Sequence, residues 1–170
     1  LKYIDIDPFS SDVLRFLDRL FEEAMTIVKQ IMQTKGNQIY SVLPTASVLK
    51  ALQVREDNGI GAGLVRENDR VLGIFSERDY ARRGVLRGKS EFVKINEVMT
   101  RGVYYVGPED SLDTCLAQMT DKHIRHLPVV ENGRVIGLVS IGDVVKSVIS
   151  DQKMLIAGLE NYILGTDYQK

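Results

Sequence analysis

The chain has 170 residues, of which 44% are hydrophobic and 26% are charged, and its formal net charge is −1. These values are ordinary for a soluble globular protein, and the balanced charge gives no basic footprint for nucleic acid. The sequence contains neither an apolar run of about 18 residues, which a membrane span needs, nor a secretory signal, so we predict a cytoplasmic protein.

The first predicted element is an amphipathic helix that follows Ser10 or Ser11. Its apolar residues recur at helical spacing up to Met25. We predict an N-terminal extension over residues 1–25 that packs on the rest of the domain or on a second subunit. A partner-binding helix is the alternative.

A tandem repeat follows this extension. Residues 44–79 and 108–143 align without a gap at an offset of 64, and 13 of the 36 aligned positions are identical. A repeat of this size sets the architecture. We therefore predict an α/β (α+β) fold in which two β-α-β-β-α repeats pack with pseudo-two-fold symmetry between flanking N- and C-terminal helices. The predicted segments are 1–25, 26–88, 93–151 and 152–170.

Periodicity and turn residues predict the elements within each repeat. Two short lead-in helices, each closed by glycine, precede the repeats at 27–36 and 94–102. Tight hairpin turns are predicted at Asn68-Asp69 and Asn132-Gly133. The remaining predicted helices are 45–57, 77–87, 109–122, 141–151 and 152–164, and the predicted strands are 38–43, 62–66, 71–75, 103–107, 127–131 and 135–139.

Each repeat carries the same motif where its last strand meets a helix. The motif is Gly73-Ile-Phe-Ser-Glu-Arg-Asp79 in the first repeat and Gly137-Leu-Val-Ser-Ile-Gly-Asp143 in the second. The glycine leaves room for a flat group to approach the backbone. The serine hydroxyl lies at a helix start, where phosphate is favoured, and the aspartate can accept hydrogen bonds from the two hydroxyls of a ribose. The alternative is a capping box, in which serine and aspartate satisfy their own helix start. The two interpretations are compatible.

The duplicated motif, the segment HIRHLPV over residues 123–129 and their spacing resemble the cystathionine-β-synthase (CBS) domain. Two copies in tandem are similar to a CBS pair, or Bateman module, as found in short stand-alone bacterial proteins. The resemblance covers about residues 26–151. It implies a regulatory module, not an enzyme, that binds AMP, ADP, ATP, NAD(H) or S-adenosylmethionine between its repeats. AMP or NAD(H) is the favoured ligand, and no catalytic cofactor is implied.

The resemblance implies two symmetric ligand sites. The first uses Asp143 for the ribose hydroxyls, together with Ser140 and Leu138. Ser140, Arg125 and His126 lie toward the phosphate, and the base slot is formed by Leu43, Val48, Ile60 and Gly61. In the second, the residues are Asp79 and Ser76, with Gly107, Leu112 and Ile124 around the base. The nearby Arg78, Arg82 and Arg83 are candidates to supply its positive charge, and a solvated helix face or intersubunit salt bridges are the alternative.

We expect the Asp143 site to be the stronger one for a monophosphate. The first repeat has Gly61 and Ala62 where the second has Arg125 and His126. Arginine is always charged and can bind phosphate through two hydrogen bonds. His126 would add charge only below about pH 6.5, and a neutral, hydrogen-bonded histidine is the alternative.

Three functional classes remain open at this point. The favoured one is a nucleotide sensor that forms a homodimer and signals to an unidentified protein effector through its terminal helices. The second is a structural dimerisation module without a ligand. The third, an enzyme acting on a nucleotide, lacks sequence support, because the chain has no Walker-type loop, no G-x-G-x-x-G motif and no metal-ligand spacing. The single cysteine, Cys115, excludes an internal disulfide and fits a reducing compartment.

Overall fold

Two antiparallel hairpins, one in each repeat, form the centre of the fold. The computed structural model describes residues 11–36, 38–68 and 70–164. The strands of the first repeat form a sheet in the order β1-β2-β3, and those of the second form the pair β4-β5. The strands are β1 (Ser41–Val42), β2 (Ala62–Glu67), β3 (Arg70–Ser76), β4 (His126–Glu131) and β5 (Arg134–Ser140).

The helices surround these hairpins, and the mixed α+β class is confirmed. A π-helical turn spans Tyr80–Gly84, and 3-10 turns span Val85–Arg87 and Ile95–Glu97. The α-helices are α1 (Ser11–Ala24), α2 (Val28–Lys35), α3 (Val48–Asn58), α4 (Glu77–Asp79), α5 (Leu112–Asp121) and α6 (Ile141–Ile163).

The two hairpins confirm the repeat at an offset of 64 residues, and they also share a break in strand register. Both shift register at equivalent positions, after Val65 in β2 and after Val129 in β4. The predicted turn at Asn132-Gly133 is confirmed, because both residues have the positive φ angles, 50° and 74°, of a type I′ turn. The other predicted turn includes Asp69, which lies outside the described residues, as do Ser10 and the tail 165–170.

The predicted strands 38–43 and 103–107 are shorter than expected. The first is reduced to β1, which runs parallel to β2. The second is reduced to a single bridge between Val106 and Val129. Leu64 of β2 donates its N–H to the Tyr40 carbonyl at 3.0 Å, whereas the equivalent residue of β4 is Pro128, which has no N–H to donate. The second repeat therefore loses one ladder hydrogen bond.

Each lead-in segment packs in the core of the other repeat. Val28, Ile31 and Met32 of α2, which precede the first repeat, are buried with the side chains of α5, β4, β5 and α6. The segment 95–99, which precedes the second repeat, is buried with α3, β2 and β3. Backbone bonds fix the exchange, with Lys29 N–H donating to the Pro108 carbonyl at 2.8 Å. Neither core is complete within one contiguous repeat.

The motif glycines make room for this exchange. A methyl group at Gly73 would lie 2.6 Å from the Thr100 carbonyl oxygen and 2.8 Å from Met99 Sδ, and one at Gly137 would collide with the end of the Met32 side chain. The sequence interpretation, that these glycines admit a flat ligand, is therefore wrong. They admit the lead-in segment of the opposite repeat.

Two predicted helices have a different form. The segment 77–87 begins as α4 and continues through the π turn, within which the Tyr80 ring lies against Gly84 in the space that a side chain at 84 would fill. The segment 94–102 forms only the 3-10 turn Ile95–Glu97, after which Thr100 pairs with Ile74 of β3.

The last two predicted helices, 141–151 and 152–164, are one continuous helix, α6. No proline or glycine lies at their junction to end the first of them. Helix α1 packs along its second half, where Phe16 stacks on Tyr162 with ring centroids 4.5 Å apart. The absence of a side chain at Gly158 admits Leu20 of α1. The two terminal helices therefore pack against each other.

Candidate functional site

Both serine-aspartate corners form capping boxes. Asp79 Oδ2 accepts hydrogen bonds from the Ser76 N–H at 2.9 Å and from its hydroxyl at 2.6 Å. Asp143 Oδ2 accepts the same pair from Ser140 at 2.8 and 2.7 Å. The capping interpretation is therefore confirmed in both repeats. It uses Oδ2 of each carboxylate, and the further contacts of each carboxylate distinguish the two corners.

The two corners differ in what completes them. At Asp79, the second oxygen accepts a hydrogen bond from the Thr100 hydroxyl at 2.6 Å. At Asp143, the Lys35 ammonium bonds to Oδ2 at 2.5 Å and to the Leu138 carbonyl at 3.2 Å. Burial alone would raise the pKa of Asp143, but the hydrogen bonds from Lys35 and Ser140 outweigh it and hold the pKa below its ordinary value.

A cavity of about 600 Å³ lies between the repeats on the Asp79 side. Ser76 and Asp79 form one wall, and residues 122–126 of the second repeat form the facing wall. Its volume lies within the range of sites that hold small molecules and cofactors. The corner that the sequence placed second therefore adjoins this space.

The cavity is strongly basic although the chain as a whole is slightly acidic. Glu77 and Asp79 are its two carboxylates. An electropositive cleft of this kind attracts anions. The basic side chains in its lining are Arg55, Arg78, Arg82, Arg83, Arg101, Lys122 and Arg125.

Arg55 lies deepest among these cations and was missed by sequence reasoning. Its side chain is 11% exposed, one terminal nitrogen pairs with Glu77 at 2.8 Å, and its Nε is buried without a hydrogen-bond partner. A buried donor without a partner is costly, and an acceptor in the cavity would satisfy it. Alignment of the two repeats could have identified Arg55, because the equivalent residue in the helix of the second repeat is the core residue Met119.

The other guanidinium groups with recorded bonds donate to backbone carbonyls. Arg78 donates to His123 at 3.2 Å, Arg83 to Met99 at 2.6 Å and Arg101 to Asn96 at 2.9 Å. A carbonyl orients a guanidinium without cancelling its charge. These bonds therefore leave the positive charge available to a ligand.

His126 lines the cavity, with its ring against Gly61 of the first repeat. Burial, followed by the positive charge of Lys35, Arg55 and Arg125, lowers its pKa to about 4. The lowered pKa disfavours the charge expected on His126 below about pH 6.5 and favours the neutral alternative.

The structure separates the residues that the sequence grouped into two sites. Arg125 and His126, expected beside Asp143, line the Asp79 cavity, as do Gly61, Ile124 and the expected Arg78, Arg82 and Arg83. The other expected base-slot residues lie elsewhere: Val48 and Leu112 are buried in the two cores, Leu43 is exposed, Ile60 lines a small separate space, and Gly107 donates its N–H to Asp110.

Three features outside the cavity bear on other functions: the cysteine thiol, metal-binding clusters and membrane-spanning helices. Burial, with Asp110 nearby, raises the pKa of the Cys115 thiol to about 11, so it is protonated at neutral pH. The described ranges contain no cluster of three or more histidine, cysteine or acidic residues that could hold a metal ion. Among the helices of those same ranges, none combines the length and apolar character needed to cross a membrane.

Comparison with known proteins adds the family. The model of the CBS domain matches the chain twice, over residues 28–85 and 95–150. The chain is 31% identical over 150 residues to the mitochondrial CBS domain-containing protein CBSX3 of Arabidopsis thaliana, covering 82% of this chain and 73% of that protein. It is 37% identical over 120 residues to arabinose 5-phosphate isomerase KdsD of Francisella tularensis, covering 70% of this chain but only 36% of the isomerase.

Solved structures share the architecture. A candidate signal-transduction protein with CBS domains from Burkholderia ambifaria is 46% identical, with a TM-score of 0.72 over 75% of this chain and 96% of its own. The CBS domain pair of protein MJ0100, crystallised with 5′-methylthioadenosine and S-adenosyl-L-methionine, is 24% identical, with a TM-score of 0.63 over 72% of this chain and 94% of its own. At that identity, the second match supports the fold alone.

Proposed function

The chain belongs to the CBS-domain family, and we propose that it is a regulatory CBS pair that binds an adenosine-containing nucleotide in the cavity beside Asp79. The observation that carries the proposal is the combination in one 600 Å³ space of a preorganised serine-aspartate corner and seven basic side chains. The corner suits ribose hydroxyls, and the cations suit phosphate. The MJ0100 pair, which shares the fold, was crystallised with two adenosine derivatives.

The charge of the cavity favours a ligand with more than one phosphate. A monophosphate would neutralise a small part of an excess of five positive charges. Within the class AMP, ADP, ATP and NAD(H), we therefore place NAD(H), ADP and ATP before AMP. Arg55 and Arg125 lie on opposite sides of the groove, so a phosphate chain between them would bond to both repeats.

We propose that the ligand acts by tying the two repeats together, with no chemical step. Its binding energy shifts a conformational equilibrium only by its difference in affinity for the two states. The output then passes to a homodimer interface or to a separate effector protein. Terminal helices α1 and α6 are the proposed relay, because Ile141 at the start of α6 donates its N–H to the carbonyl of the cavity residue Arg125 at 2.9 Å, and α6 ends against α1.

The test is a thermal and calorimetric titration with AMP, ADP, ATP, NAD, NADH and S-adenosylmethionine. A ligand at a hundredfold excess over its Kd adds about 2.7 kcal/mol of stability, which raises the Tm by roughly 5–10 °C for a domain of this size. Arg78→Ala should weaken binding about tenfold or more through a lost charged hydrogen bond. Arg87→Ala, an exposed arginine outside the cavity lining, is the matched control.

The alternative function is a structural dimerisation module without a ligand. The capping boxes favour it, because they give both corners a structural role that needs no ligand. A stable dimer whose Tm does not respond to any of the six nucleotides would establish this alternative and remove the proposal.

A further inference from the structure

The two corners differ because of a one-residue offset in the lead-in segments. Both lead-ins contain a methionine, then Thr-Lys-Gly at 34–36 or Thr-Arg-Gly at 100–102. Gln33 is inserted between the methionine and the threonine in the first lead-in only. Met32 and Met99 occupy equivalent places, each against its motif glycine. The extra residue therefore changes which side chain of the triplet reaches the aspartate.

The hydrogen bonds record this change. In the second lead-in, the Thr100 hydroxyl donates to Asp79, and Arg101 turns away to donate to the Asn96 carbonyl. In the first lead-in, the Thr34 hydroxyl turns back to the Gln30 carbonyl at 3.1 Å, and Lys35 reaches Asp143. A neutral hydroxyl completes one corner, and a cation completes the other.

Lys35 lies at the Asp143 corner, where the proposed function would place a sugar. Its ammonium donates to Asp143 Oδ2 and to the Leu138 carbonyl. The side chain crosses from one repeat to the other, 108 residues along the chain. On the basis of the proposed function, we infer that Lys35 closes the second nucleoside site, so that the chain takes one nucleotide, at Asp79.

The surroundings of Asp143 define what an opened site would accept. At the positions equivalent to Arg78, Arg125 and Lys122, this half of the molecule has Gly142, Gly61 and Asn58. Three of the cations that line the Asp79 cavity are therefore missing here, and Lys146 lies at the position equivalent to Arg82. An opened Asp143 site should accept an uncharged nucleoside such as adenosine in preference to ATP.

Calorimetric titration with adenosine and with ATP tests the inference. The wild type should bind one equivalent of ATP per chain. Lys35→Met, which keeps the length of the side chain without its charge, should bind an additional equivalent of adenosine at unchanged ATP stoichiometry. Adding Asp143→Asn to this variant should abolish the additional binding. Lys29→Met, on the same helix and similarly exposed, is the control and should match the wild type.

The outcomes separate this inference from the proposed function. Lys35→Met and Lys35→Ala are each checked for folding by circular dichroism. If the wild type binds one ATP and neither variant binds adenosine, the inference is overturned and the proposed function stands. Two equivalents in the wild type also overturn it. If the wild type binds no nucleotide but Lys35→Met binds adenosine in an Asp143-dependent way, the proposed function falls and the closure by Lys35 stands. Binding to none of the variants overturns both.

Discussion

Asp79 and Asp143 show how one residue type acquires two roles in equivalent positions. Each closes its own capping box through Oδ2. Thr100 leaves Asp79 without a cationic partner, in a cavity where arginines surround it, whereas Lys35 neutralises Asp143 directly. The capping box holds each carboxylate in position, and the neighbour from the lead-in determines its charge environment.

The pH dependence of stability should report the Asp143 contacts. Because folding lowers the pKa of Asp143, its ionised form stabilises the fold above the ordinary value of 3.8, and this stabilisation is lost as the pH falls through the lower folded pKa. Asp143→Asn should therefore reduce the unfolding free energy at pH 7 by about 1 kcal/mol and should approach the wild type in acid.

Urea unfolding at pH 7, 4 and 3 measures this difference. Asp57→Asn, at an exposed position of α3, is the control and should show little difference from the wild type at any of the three values. A gap between wild type and Asp143→Asn that widens as the pH falls would contradict the assignment.

The sequence could predict the site residues by type but could not predict their grouping. The serine-aspartate motif, Arg78 and Arg125 were visible because they lie in or beside a duplicated pattern. Lys35 and Arg55 were not, because each acts across the fold: Lys35 on a residue 108 positions away, and Arg55 from a helix position that is apolar in the other repeat. Long-range pairing of this kind leaves no local periodicity.

At the scale of elements, the exchange of lead-in segments is the feature that organises the fold. It gives Gly73 and Gly137 a packing role in addition to their place in the motif. The sequence predicted the lead-ins as short helices closed by glycine. It carried no information about which repeat would bury them, because both repeats offer equivalent surfaces.

The two glycines should tolerate alanine unequally. At Gly73, a methyl group meets the Thr100 backbone carbonyl, which is fixed by its pairing with Ile74. At Gly137, it meets only the flexible end of Met32. Gly73→Ala should therefore lower the unfolding free energy by about 1–3 kcal/mol, and Gly137→Ala should lower it by less.

Chemical denaturation of the two variants gives the comparison. Gly142→Ala provides the control, because a methyl group there meets only an ordinary contact in a helix, and alanine favours a helix over glycine by about 1 kcal/mol. If Gly73→Ala lowers the unfolding free energy no more than Gly137→Ala does, the backbone at Thr100 shifts to accommodate the methyl group more easily than proposed.

For the whole molecule, the continuity of α6 links the candidate site to the terminal helices. Its first residue, Ile141, donates its N–H to the carbonyl of the cavity residue Arg125, Asp151 accepts hydrogen bonds from Thr26, and its last turns pack on α1. The sequence divided this helix in two because an amphipathic pattern restarts near Gln152. The structure shows that no backbone signal interrupts it.

Deletion of residues 152–170 should separate ligand binding from assembly. The deletion removes the partner surface of α1 and leaves every residue of the Asp79 cavity in place. Native mass spectrometry should show weaker dimerisation, with calorimetric nucleotide affinity within about twofold of the full chain. Unchanged assembly would remove the terminal helices from the proposed relay, and a large loss of affinity would place them in the site.

The reciprocal placement of the lead-ins also affects what happens when the backbone is cut. A proteolytic nick in the segment 88–92, where the Phe92 side chain is exposed, would yield two fragments. Each fragment would carry the lead-in segment that completes the hydrophobic core of the other. Such fragments should stay associated and should recombine when mixed, because neither can bury its own apolar surface alone. The fold is thus a natural candidate for splitting into complementing halves whose reunion could be coupled to nucleotide.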